Sequence, residues 1–484
     1  MMINTKAVVN VLGLLLIISG GMMLFGLPFS LYYDSPDIWP ITAAASLTIL
    51  VGIAGWWLTP DSDRTVIGKR EGYLIVTLGW VTMSLCGALP FTFSGAIPSY
   101  TDAFFETMSG FTTTGASVLN DIESLPKGIL FWRSMTHWIG GMGIIVLSLA
   151  ILPILGVGGM QLFIAEVPGP TPDKIHPRVK ETAKRLWVIY VLLTGAETML
   201  LILGGMTLFD AINHSFATLA TGGFSTKQVS VAYYTSPYIQ YVIALFMYLA
   251  GVNFSLHYFV LKRRFDKVWH NEEFKFYTGV ILGATVILTF GLTLRHNLHP
   301  EQAFRDSLFT VLSIITTTGF VTADYEIWAP PLTFIVFILM FIGGSAGSTG
   351  GGPKMVRILL IIKNSLIELK RLIHPRAVIP VRLDNRAVPP EIVFNILAFF
   401  ALYMLIFILS SLVMTSMGLD FISAMSAVIA TLGNIGPGLG SVGPVANYAD
   451  IPPLGKWFLS FLMLLGRLEL FTVLLLFTPA FWRK

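Results

Sequence analysis

A chain of 484 residues that is 54% apolar and only 12% charged has too little polar side chain to cover several soluble domains. Its formal charge is +4, but the basic residues lie between apolar stretches, where they report orientation across a bilayer and argue against a nucleic-acid partner. The lone cysteine, Cys86, falls inside an apolar stretch, which excludes an intrachain disulfide framework.

The composition thus describes an all-α polytopic membrane protein. Ten long apolar segments are readable, near 8–32, 40–58, 72–93, 133–155, 186–208, 238–261, 276–295, 332–361, 391–416 and 454–479. The first is too long for a signal-peptide core and is expected to remain as a helix. With the second it forms an N-terminal transmembrane hairpin, residues 1–66, joined through the Tyr-Tyr-Asp-Ser-Pro-Asp turn at 32–37. The other eight fall into pairs, and each pair flanks a short apolar stretch of one repeated frame, an aspartate followed eleven residues later by Thr-x-Gly. In residues 67–166 the frame is Asp102 with Thr113-Thr114-Gly115, and in 167–270 it is Asp210 with Thr221-Gly222-Gly223. In 271–375 it is Asp306 with Thr317-Thr318-Gly319, and in 376–484 it is Asp420 with Thr431-Leu432-Gly433, followed by Asn434. The leading threonines are 108, 96 and 114 residues apart, so one unit is used four times. Each unit reads as outer helix, short re-entrant helix, Thr-x-Gly strand and inner helix. Eleven helical residues cover about 16 Å, about half of a ~30 Å hydrocarbon core, so the short helix ends at mid-membrane.

Charge sets the direction. The loops at 59–71, 168–185, 262–275 and 363–390 carry 3, 5, 5 and 6 Lys or Arg, and Lys6, Arg483 and Lys484 bring that side to 22. The opposite side holds only Lys127, Arg133, Lys227, Arg295, Arg305 and Lys456. The positive-inside rule then places both termini in the cytoplasm, with the four Thr-x-Gly stretches opening outward. A unit with two full spans and one re-entrant loop returns to its starting side, so the four copies are parallel around an axis along the membrane normal. A pseudo-fourfold pore follows, whereas inverted repeats need an odd number of spans.

Non-helical backbone at membrane depth is tolerated where it is buried or lines a watery cavity. Four such segments meeting on an axis can offer carbonyl oxygens to a dehydrated ion, and threonine adds a hydroxyl. Glycine permits the unusual backbone angles this requires. Each short helix aims the negative end of its dipole at the axis, which favours a cation. The aspartates are expected as N-caps at the outer helix ends, where they would also attract cations.

Two further features face this axis. The run Gly343-Gly344-Ser345-Ala346-Gly347-Ser348-Thr349-Gly350-Gly351-Gly352 interrupts the inner helix of the third unit. It is not a phosphate loop, because Lys354 follows Pro353 and no Ser or Thr follows the lysine. So many small residues cannot hold a helix, and the expectation is an unwound intramembrane segment able to obstruct a pore below the filter. Arg467 stands in the middle of the last apolar segment, where a charge costs ~2.5–3.5 kcal/mol and is expected to face a cavity or a partner. Glu106, Glu197 and His137 read as packed groups without a role.

With four such units on one chain, each carrying Thr-x-Gly, the sequence resembles the Trk/Ktr/HKT superfamily of potassium transporters over its whole length. The resemblance implies channel-like potassium uptake, not an enzyme, across a bacterial inner membrane, with K+ as the ion in the filter and no organic cofactor. In that family glycine at the filter position of every repeat goes with potassium selectivity, a pattern met here by Gly115, Gly223, Gly319 and Gly433; Leu432 and Asn434 depart from it. It further implies that 343–352 is a gating loop, and that the protein works as a homodimer. That dimer would dock on a cytosolic ring of nucleotide-binding, TrkA-like regulatory subunits, which would be separate chains. An ion-coupled secondary transporter, moving K+ with H+ or Na+, is the competing reading. An integral-membrane enzyme would want His, Asp and Glu clustered at one face, but here the acids are dispersed among the units.

Overall fold

The computed structural model describes residues 3–59, 68–143 and 179–483. Among them the fold is helical, with one two-stranded ribbon pairing Arg382–Leu383 with Arg386–Ala387. Six helices are long and apolar enough to cross a membrane, and two bent helix pairs bring the number to as many as eight. The chain is a multi-pass membrane protein.

The N-terminal helix Thr5–Met23 runs on through a short turn to Tyr32 and packs along Ile38–Trp57. Glycines make this contact close: a Cβ on Gly13 would stand 2.6 Å from the Gly52 carbonyl, and one on Gly20 would stand 2.9 Å from that of Ala45. Small residues let helix backbones approach where lipid supplies no hydrophobic drive.

The outer helices of the four units are Lys69–Gly87, Val179–Leu203, Glu272–His296 and Pro390–Ser416. The short helices are Tyr100–Phe111, Leu208–Leu219, Pro300–Ile315 and Phe421–Leu432, and most of their residues are buried. The expected aspartate caps are found only in the fourth unit, where Asp420 accepts from the Ser423 amide. In the first two units Ser99 and Thr207 cap instead, bonding the amides of Asp102 and Asp210 three residues on. Ser or Thr three residues ahead already supplies the cap oxygen, which leaves the aspartate in the first turn, where it meets the positive end of the helix dipole. The third helix starts earlier, at Pro300 behind a His299 cap, so Asp306 is buried inside it.

The inner helices begin at Lys127, Pro237, Pro330 and Pro453, each at or directly after a proline, whose fixed φ and missing N–H suit a first turn. Only the third was expected to be interrupted, and here the structure corrects the sequence reading. The second breaks between Pro237–Ala250 and Phe254–Leu261 with a bend of 102°, and the fourth between Pro453–Arg467 and Phe471–Phe477 with one of 112°. The first passes from Lys127–Trp138 into a wide turn at Ile139–Gly143; its continuation and most of the basic loop 168–185 lie outside the described residues. The third stops at Leu339 and resumes as Met355–Ile373. The causes are local. In the second unit Asn253 caps the new helix, and in the fourth Glu469 and Leu470 both take left-handed angles, φ 56° and 52°. The exposed backbone is satisfied between units: the Ser345 amide donates to the Gly251 carbonyl at 2.9 Å, and the Phe254 amide to that of Gly347 at 3.0 Å. Irregular backbone at this depth survives because protein surrounds it.

Candidate ion-conduction site

All four short helices end in the same turn. The amides of Thr113, Thr221, Thr317 and Asn434 bond the carbonyl three residues back, at 2.9–3.2 Å. The next amides, of Thr114, Gly222, Thr318 and Ile435, bond the carbonyl five back, each at 2.8 Å. The first residue of each set is left-handed, with φ 52°, 55°, 58° and 54°, and two residues on Gly115, Gly223, Gly319 and Gly436 are again left-handed. The geometry is that of a helix C-cap in which glycine normally occupies the left-handed position. Threonine there is a genuine outlier, with a strain of about 1–3 kcal/mol.

This repeated turn shifts the fourth frame by three residues. Thr431 and Leu432 are the last residues of the helix, the Thr431 hydroxyl bonding back to Ala427, and Gly433 is its C-cap. The equivalent segment is Asn434-Ile435-Gly436. Thr-Leu-Gly imitates the Thr-x-Gly of the other units, whereas the backbone needs a left-handed residue and a glycine two positions later. Asparagine visits that region readily, so Asn434, named with the fourth stretch, marks the left-handed position, and Gly436 is the glycine that goes with it.

The four segments close on one another in chain order. A Cβ on Gly115 would run into the Gly222 carbonyl, one on Gly223 into that of Thr318, and one on Gly319 into that of Ile435. A Cβ on Gly436 would come within 2.6 Å of the Thr114 carbonyl, which completes the circuit. Above this ring lies a cavity of about 90 Å³ whose walls include all four of these glycines. Among the described residues no cluster of three His, Cys, Asp or Glu is placed to hold a metal ion.

The hydroxyls differ by unit. Thr114 pairs with Thr112, and Thr318 with Thr316, both at 2.7 Å. Thr221 donates to the Ala220 carbonyl, and the Thr113 hydroxyl has no partner among the described residues. Asn434 donates to the Thr114 hydroxyl at 3.0 Å, tying the fourth segment to the first.

The glycine-rich run lies against the underside of these segments. The Gly351 amide donates to the Thr317 hydroxyl at 2.7 Å, and the Thr349 hydroxyl to the Leu219 carbonyl at 2.9 Å. A Cβ on Gly350 would approach the Thr316 carbonyl at 2.9 Å, and one on Gly351 would approach that of Gly433 at 2.8 Å. Gly343 and Gly352 face one another across the base of the loop, and Ser348 closes it onto the Ser345 carbonyl at 2.6 Å. Gly344 takes the Met355 amide at 3.0 Å, and Gly347 is left-handed beside Asn253. Arg467 joins this group as expected: it donates to the Thr349 carbonyl at 2.8 Å and to those of Gly140 and Gly141 at 2.5 and 2.9 Å. Loop and arginine together touch all four units.

Sequence reasoning missed two supporting residues. Buried Lys354 donates to the Gly350 carbonyl, and Glu273, at the start of the third outer helix, accepts from the amides of Ala346 at 2.7 Å and Val356 at 3.1 Å, on either side of the run's end. A charged residue in the first turn of an apolar helix was the available signal for the second.

Residues 39–484 match the family model TrkH, described as a cation transport protein. The chain is 48% identical to the Trk system potassium uptake protein TrkH of Salmonella typhimurium and 47% identical to that of Escherichia coli, covering 99% of both partners in each comparison. It is 39% identical to the crystal structure of the potassium transporter TrkH from Vibrio parahaemolyticus, with a TM-score of 0.89 over 99% of this chain and 100% of that one. The chain belongs to the TrkH family of cation transport proteins.

Proposed function

We propose that this protein takes up potassium through a channel-like pore whose selectivity filter is the ring of Thr113–Gly115, Thr221–Gly223, Thr317–Gly319 and Asn434–Gly436. The observation that carries the reading is the closed circuit of glycine-to-carbonyl approaches around four copies of one backbone turn. Carbonyl oxygens held this way replace the hydration shell of a cation with a large, weakly held shell more easily than that of a smaller one. The substrate, potassium, is that named for relatives 47–48% identical over the full length.

The reading extends to organisation. The units run over 67–166, 167–270, 271–375 and 376–484 behind the hairpin 1–66, with both termini cytoplasmic, as the 22 basic residues on one side support. The run 343–352 and Arg467 form the gate: they stand directly beneath the ring and are held by hydrogen bonds to carbonyls of separate units. The amphipathic helix Met355–Ile373 leads from that gate to the basic cytoplasmic segment, where a ring of nucleotide-binding regulatory subunits would act on a homodimer. A carrier coupling K+ to H+ or Na+ gains no support from four parallel units.

The test is the reversal potential of purified protein in liposomes under mixed K+, Na+ and Rb+ gradients. A pore gives a potential set by permeability ratios that favour K+. A potential displaced by a proton or sodium gradient in fixed stoichiometry would establish coupled transport instead.

A further inference from the structure

The ring is built from four unlike seams, and the seam between the first and second segments carries charge that the reading above does not use. Glu106, on the first short helix, and Arg133, on the first inner helix, form an ion pair at 2.7 Å with side chains 0% and 2% exposed. The pair reaches both filter exits. Glu106 accepts from the Ser117 hydroxyl and the Val118 amide, each at 2.9 Å, just beyond Gly115. Arg133 donates to the Ser225 carbonyl at 2.9 Å, just beyond Gly223.

Between these residues lies Phe224. The Arg133 guanidinium stands 3.6 Å from its ring centroid, and the His137 imidazole is stacked on it at 3.9 Å and 17°. Two planar groups cannot both lie so near one centroid on the same face without overlapping, so they take opposite faces. Arg133 and His137 are four residues apart on one helix, so both point the same way, and Phe224 is gripped between successive turns. The Phe224 amide completes the grip by donating to His137 Nδ1 at 3.4 Å. A Cβ on Gly222 would meet the same imidazole, which explains glycine here where the first and third segments have Thr114 and Thr318. In those two segments a threonine pair stiffens the turn; in the second the histidine stands in that place.

We propose that Glu106, Arg133 and His137 are positioning residues for ion selectivity, acting through Phe224 to fix the second filter segment against the first. The inference rests on the ring being the filter. The grip restrains Phe224, adjacent to Gly223, so loosening it widens the Gly115–Gly222 approach without removing any oxygen that meets the ion. Glu106 has a second effect, since it neutralises a guanidinium lining the outer cavity.

The experiment compares K+ to Na+ permeability ratios, from reversal potentials in liposomes, for the parent, His137→Ala, His137→Phe, Glu106→Gln and, as a control on the filter itself, Gly319→Ser. His137→Ala is expected to lower the ratio about fivefold, equivalent to about 1 kcal/mol at 1.4 kcal/mol per decade. His137→Phe, which restores a flat ring on Phe224, is expected to stay within about twofold of the parent on the same scale. Glu106→Gln keeps the side-chain shape and is expected to lower both the ratio and the K+ flux; it carries the test should the alanine variant fail to fold. An unchanged ratio in whichever of the two is folded, with Gly319→Ser shifted, overturns the proposal. An unchanged ratio in Gly319→Ser as well overturns the filter reading instead.

Discussion

At the scale of single residues, position in the ring decides what a side chain can do. Gly319 has φ 78°, and a Cβ there would strike the Ile435 carbonyl and approach Pro437 Cδ at 2.8 Å. Gly319→Ser therefore strains its own backbone by about 1–3 kcal/mol and pushes on the neighbouring segment. A tenfold loss of K+ preference over Na+, about 1.4 kcal/mol, is the expected result, read from reversal potentials. Below the ring, Arg467 carries a positive charge and makes three carbonyl contacts. A unit charge ~6 Å from a permeating cation at an effective dielectric constant of ~20 opposes it by about 3 kcal/mol. Arg467→Ala is expected to raise K+ flux by up to about a hundredfold and to leave the permeability ratio intact, because the proposed filter lies above it. Lysine keeps the charge but not the planar fork that spans two units, so Arg467→Lys should fall between alanine and parent. Liposome flux equal to the parent in a folded alanine variant would remove Arg467 from the pathway.

Among the elements, the glycine-rich run is the one held by borrowed partners. It has no helix of its own, and its amides and carbonyls are met by Glu273, Gly251, Thr317 and Arg467. On the gating proposal, deleting part of 345–351 shortens a barrier and removes no residue of the ring. Basal flux should rise, and control by any cytosolic partner should weaken, both measured on the same reconstituted protein. Unaltered conductance in a folded deletion would show that the run is no gate. This element was legible because its composition forbids helix. The breaks in the second and fourth inner helices were not, because Ala250, Gly251 and Val252 read as continuous apolar helix. Glu469 and Leu470 carry no turn signal at all, although both take left-handed angles. The caps were half legible: Ser99 and Thr207 stand three residues before their aspartates, a spacing that identifies the cap once the box is looked for.

Across the whole molecule, the ring joins residues 113 to 436, and no unit completes it alone. Fourfold repetition was visible in the spacing of Thr-x-Gly, but the order of closure and the true fourth segment were not. A backbone turn constrains angles, and Thr431 satisfies the letter pattern from inside a helix. Closure of this kind couples ion binding to stability. On the filter reading proposed above, carbonyl dipoles of four units meet at one ion, and a cation of matching size offsets their mutual repulsion only while all four are assembled. A ligand bound to the folded state alone stabilises it by about 2.7 kcal/mol at a hundred times its dissociation constant. In a protein of this size, whose unfolding entropy is about 1 kcal/mol/K, such a gain moves the melting temperature by about 3 °C. Thermal unfolding in detergent should therefore occur at higher temperature in KCl than in NaCl or choline chloride of equal ionic strength. Gly319→Ser should lose most of the difference, since it damages the ring, while Arg467→Ala should keep it, since the arginine lies below. A melting temperature that follows ionic strength but not the identity of the cation would mean that K+ is not held at the closure of the four units.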